Sequence, residues 1–133
     1  MKTNRTFNKS NRTFKLWEYQ ISHGQLLIRS PKAPATETSP ETLTNLDLIC
    51  LGVEYVAVPR IFRGLELVSP TPDEIQNLEV LLKKAIPPDN VKILESEGKR
   101  FPIVASSCSI SENDLDIFES PFEFRSQFHK VSL

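Results

Sequence analysis

Cys108 comes nearest to nucleophilic chemistry, standing in Ser106-Ser107-Cys108-Ser109 among small hydroxyl side chains. A thiol becomes an effective nucleophile when an imidazole or a cation lowers its pKa. The two imidazoles of the chain are His23 and His129. Both are distant from Cys108 in sequence and no local signature joins them to it, so a buried or incidental thiol is the preferred reading. Trp17, Tyr19 and His23 share one short segment and, with Cys108, are the candidates for lining a small pocket. Aromatic side chains on a strand belong more often to a core.

Glu112, Asp114 and Asp116 alternate, so a strand would align three carboxylates on one face, with Leu115 and Ile117 on the other. Such a row suits a divalent cation or an acid–base pair. Metal loops add glycine and further oxygen ligands, and none are spaced for it here. A solvated face is therefore preferred, and neither a metal nor a cofactor is expected. Residues 112–123 hold five acids and no base.

The opposite charge gathers at the other end. Lys2, Arg5, Lys9, Arg12 and Lys15 fall within the first fifteen residues without an acid among them. Asn4-Arg5-Thr6-Phe7 returns as Asn11-Arg12-Thr13-Phe14, but Asn, Ser and Thr disfavour a helix. Residues 1–13 read as a basic, flexible leader ahead of a single domain over 14–133. A second cationic group, Arg60 and Arg63, brackets Ile61 and Phe62 as an interaction candidate, though the preferred reading tucks both apolar side chains under the sheet. The overall net charge of -1 argues against a dedicated nucleic-acid binder. The four glycines are at least twelve positions apart, which excludes G-x-G-x-x-G and Walker-type loops.

These residues need elements to position them. Phe14–Ile21 and Gln25–Arg29 read as a hairpin about Ser22-His23-Gly24, with large side chains on both faces. Residues 30–45 form a Pro/Thr-rich loop, read as a disordered insertion for want of an aromatic anchor. Leu46–Val58 must cross the core with a bend at Gly52, Pro59 to Gly64 interrupts it, and Leu65–Val68 resumes as a strand. Thr71-Pro72-Asp73-Glu74 combines an N-cap, a first-turn proline and a capping-box acid. Ile75, Leu78, Leu82, Ala85 and Ile86 then share one face, which predicts an amphipathic helix over about 72–86. Val91–Ser96 and Phe101–Ala105 pair about Gly98, and Leu115–Phe118 alternates as a last strand. Phe122, Phe124 and Phe128 suggest a tail lying on the body.

One helix is too few for parallel crossovers. The expected fold is α+β: a mainly antiparallel β-sheet of about six to seven strands with one helix packed on a face. No apolar run approaches a membrane span, no secretory signal opens the chain, and two cysteines make no disulfide framework. A small cytoplasmic protein with reduced thiols is the expectation. The preferred function is a non-catalytic protein-interaction module, such as a regulator, adaptor or inhibitor-like partner, binding another protein or itself. The alternatives are a small enzyme or ligand-binding domain using Cys108, His23, His129, Asp114 or Asp116, and weak nucleic-acid contact through the basic N-terminus.

Overall fold

The computed structural model describes residues 12–38, 40–116 and 119–122. Seven strands are joined antiparallel throughout: β1 (Thr13–Gln20), β2 (Gln25–Ser30), β3 (Asn45–Val56), β4 (Ile61–Arg63), β5 (Glu66–Val68), β6 (Val91–Ser96) and β7 (Lys99–Asn113). Their order in the sheet is β4-β1-β2-β3-β7-β6-β5, and the α-helix α1 (Pro72–Leu82) lies between β5 and β6 in sequence. This is the expected α+β architecture.

The order has a geometric consequence. β4 and β5 form opposite edges of the sheet, yet only Gly64 and Leu65 separate them. The sheet must therefore curl until its edges are a dipeptide apart. The Ser96 hydroxyl, at the end of β6, fastens the seam by donating to the Gly64 carbonyl at 2.7 Å. Inside the curl lies the main core, where Phe14, Leu26, Ile28, Leu46, Leu48 and Ile103 are fully buried. Period-two alternation sends Leu27, Arg29 and Asp47 to the outer face, and these are buried as well. Both faces of β2 are thus covered, so part of the hairpin is enclosed on both sides, as its large side chains imply.

The outer face of β6 and β7 is covered by α1, with Leu78 and Ile86 packing on Val91, Ile93 and Val104. The capping box is complete: Glu74 N–H donates to Thr71 Oγ1 at 3.2 Å and Thr71 N–H to Glu74 Oε1 at 2.9 Å. The helix ends at Leu82, four residues short of the expected stop. Lys83 turns left-handed, and the N–H groups of Lys83 and Lys84 both donate to the Glu79 carbonyl, closing the last turn. The Glu79 carboxylate then accepts from Ile86 N–H at 3.0 Å, so Ile86 reaches the core from outside the helix.

Two further elements differ from expectation. Where an interruption was expected, residues 61–63 form β4, a strand hidden by its brevity between Pro59 and Gly64. Leu115 and Asp116 are not in a strand, and Ile117 and Phe118 lie outside the described residues. β7 instead runs on through Ser109 to Asn113. Residues 114–116 and 119–122 belong to a segment over β2 and β3, tied by Asn45 Nδ2 to the Leu115 carbonyl and Arg29 Nη1 to the Glu119 carbonyl, each at 2.9 Å. Phe122 is buried, and Phe124 and Phe128 are outside the described residues.

Candidate functional site

The outer face is exposed at the corner formed by β1 and β4. Register there sets Lys15 against Ile61 and Thr13 against Arg63, while their neighbours Phe14 and Phe62 point inward and are buried. All four outward side chains are exposed, Ile61 by 52%. Arg60, also exposed, enters the same edge. Among the described residues Lys15, Arg60 and Arg63 join none of the ion pairs. An exposed aliphatic side chain thus stands among three unneutralised cations.

The backbone of this edge is open at one point. Leu16 N–H donates to the Arg60 carbonyl at 2.8 Å and Gly64 N–H to the Arg12 carbonyl at 2.9 Å. Antiparallel alternation therefore turns the backbone groups of Arg60, Phe62 and Gly64 toward β1, and those of Ile61 and Arg63 away from it. The Arg63 carbonyl receives the Ser96 hydroxyl at 3.3 Å. The N–H and C=O of Ile61 are left facing outward along the edge.

A groove of about 700 Å³ opens beside the corner, lined by Thr13 and Lys15 and by Pro34, Thr36, Thr38 and Pro40 of the Pro/Thr loop. The loop is closed at its base, where Ala33 and Thr42 exchange backbone bonds of 3.1 and 2.9 Å. Arg12 clamps its two ends, donating to the carbonyls of Ser30 (2.9 Å), Pro31 (3.2 Å) and Thr44 (2.7 Å). Burial lowers the Arg12 pKa, while the charges of Glu112 and Asp47 oppose that shift. Arg12 is thus a structural clamp and Lys15 a presented charge, although both come from one basic stretch. Arg5 and Lys9 are outside the described residues.

The acidic candidates are not in a row. Glu112 is on β7 and accepts from Thr44 Oγ1 at 2.6 Å. Asp114 and Asp116 lie past the end of that strand, where Lys32 Nζ donates to the Asp114 carbonyl and pairs with the Asp116 carboxylate at 3.9 Å. The strand stops because Asn113 turns its side chain into the fold, donating to Asp47 at 2.8 Å and accepting from Asn45 at 2.9 Å. No group of three or more His, Cys, Asp or Glu among the described residues can hold a metal ion.

The pocket candidates are dispersed. The Trp17 ring lies 5.6 Å from the Arg29 guanidinium carbon. Tyr19 and His23 are exposed, His23 in the 3-10 turn Ile21–His23. Cys108 is half-buried and its free thiol donates a hydrogen bond to the Cys50 sulfur; His129 is outside the described residues. Val80 and Leu81 form another exposed apolar pair, on α1, and the adjacent Lys84 is engaged with Glu54. No helix among the described residues is long and apolar enough to cross a membrane.

Compared with known proteins, the chain matches no family model, no curated protein and no solved structure.

In sequence Arg60, Ile61 and Arg63 stand together, but nothing local joins Lys15 to them. The Lys15–Ile61 pairing spans 46 positions and needs β4 to be a strand. Three residues carry too little alternation to announce one. The groove went unnoticed because Thr36, Thr38 and the prolines look alike in a folded and an unfolded loop.

Proposed function

We propose that the chain is a non-catalytic protein-interaction module whose β1–β4 corner takes an extended acidic segment of a partner protein. The observation that carries this reading is the exposed Ile61, paired with Lys15 and flanked by Arg60 and Arg63, on an edge whose backbone faces outward at that residue. An extended segment adds to a sheet edge through its main chain and gains specificity from alternate side chains. Here one apolar partner residue would rest on Ile61, and acids two positions to either side of it, on the same face, would meet Lys15 and Arg63. The short edge suits a selective contact, since a long, flat, uncharged edge invites aggregation. A cytoplasmic setting with both thiols reduced belongs to the same proposal.

Binding of a labelled peptide in which one Leu has Glu two positions to either side tests it, measured by fluorescence anisotropy on the full chain. Salt-sensitive binding is expected, weakened about tenfold or more by R63E and by K15E. A single-stranded oligonucleotide of equal charge separates this reading from nucleic-acid contact. Equal binding of both ligands, or no peptide binding at low salt, overturns the proposal.

A further inference from the structure

Cys50 and Cys108 are 58 positions apart in sequence and directly opposed in space, as register partners on β3 and β7. The pairing is held on both sides, since Leu48↔Ile110, Ile49↔Ser109 and Leu51↔Ser107 belong to the same uninterrupted ladder. The two sulfurs are 2.6 Å apart, in direct contact as free thiols. They are also the only cysteines of the chain. We propose that Cys50 and Cys108 are a reversible intramolecular redox pair, closed to a disulfide by a peroxide and reopened by a dithiol.

The two thiols have different access and therefore different roles. Cys50 is fully buried in the main core, whereas Cys108 is half-buried at its margin, so an oxidant meets Cys108 first. The hydrogen bond shared with Cys50 and the charge of Lys92 lower the Cys108 pKa, whereas that shared bond and burial raise Cys50. Cys108 is accordingly the thiol that meets the oxidant, reacting through its thiolate form, and Cys50 the resolving thiol. The Cys108 thiolate attacks one peroxide oxygen, the O–O bond breaks, and a sulfenic acid and hydroxide form. The Cys50 sulfur then attacks the sulfenic sulfur and expels its oxygen, which leaves as water with the Cys50 proton. Two thiols and one hydrogen peroxide thus give one disulfide and two waters. Reopening is a thiol–disulfide exchange in which the dithiol is oxidised. Closure would staple the two longest strands at the centre of the sheet, and this redox chemistry is independent of the proposed binding corner.

The test is oxidation of the full chain with hydrogen peroxide, followed by alkylation after denaturation, intact mass and peptide mapping. Both thiols should disappear together with the loss of two hydrogens and no added oxygen, in a monomer that dithiothreitol restores. In C108S, the loss of Cys50 alkylation should slow at least tenfold; in C50S, oxygen adducts should accumulate on Cys108. Oxygen adducts on Cys108 of the unaltered chain with Cys50 still alkylatable, or a cross-link between two chains, overturn the proposal. The unaltered chain alone decides between these results, whatever the folding of the variants.

Discussion

The Arg29 guanidinium grips the Asp47 carboxylate in a bidentate pair, Nε–Oδ1 at 2.7 Å and Nη2–Oδ2 at 2.9 Å, from opposed positions of β2 and β3. Both side chains are buried on the outer face. The remaining polar atoms are engaged: Arg29 Nη1 donates to the Glu119 carbonyl at 2.9 Å, and Asn113 donates to Asp47 at 2.8 Å. A buried ion pair carries a heavy desolvation cost and holds only when its geometry and outer hydrogen bonds are complete. Here it fixes the 114–122 segment to the sheet. D47A should destabilise the protein by about 3–5 kcal/mol, because it strands a buried guanidinium. The double variant R29M/D47L should lose distinctly less, as read by urea unfolding.

Acid should release a second tie. Glu74 takes two bonds of 2.9 Å from Arg100 and one from Thr71 N–H, and these hold its carboxyl down at about 2. The folded pKa lies below the unfolded one. The stabilisation is therefore full above the ordinary carboxylate value of about 4.3 and is lost as pH falls from there toward 2. The pair is at the surface, so solvent screening keeps the effect to about 1 kcal/mol. R100Q should flatten the dependence of unfolding midpoint on pH across that window.

Gly52 bends β3 with a φ of +62°, and a Cβ placed there would approach Ser106 Oγ to 2.3 Å and Ser106 Cβ to 2.9 Å. Gly98, at φ +76° in the β6–β7 turn, has open space around it. G98A should therefore cost only the backbone strain of a left-handed alanine, about 1 kcal/mol, and G52A about 2–3 kcal/mol because β7 must also yield. Thermal unfolding of the two variants side by side checks the difference.

The helix start was legible because Thr71, Pro72 and Glu74 act within one turn and need no distant partner. The hairpin, the bend at Gly52 and the β6–β7 pair could be read for the same local reason. The helix end was missed because Glu79 closes it with its carbonyl and carboxylate, a use that apolar periodicity at Ala85 and Ile86 conceals. Leu115 to Phe118 alternates like a strand, but Asn113 turns inward to Asp47 and ends the ladder first. Relationships across long separations left no trace in the residues themselves. Cys50 faces Cys108, and Lys15 pairs with Ile61, only once the strand order is known.

The acidic-segment proposal is tested most directly by amide chemical-shift mapping of the full chain titrated at low salt with the same peptide, one Leu with Glu two positions to either side. Shifts are expected at Thr13, Lys15, Ile61 and Arg63, extending to Thr36 and Thr38 beside the groove, and fading as salt is raised. Largest shifts at Val80 and Leu81 on α1, or at Glu112 to Asp116, or no shifts at all, would contradict a binding site at the β1–β4 corner.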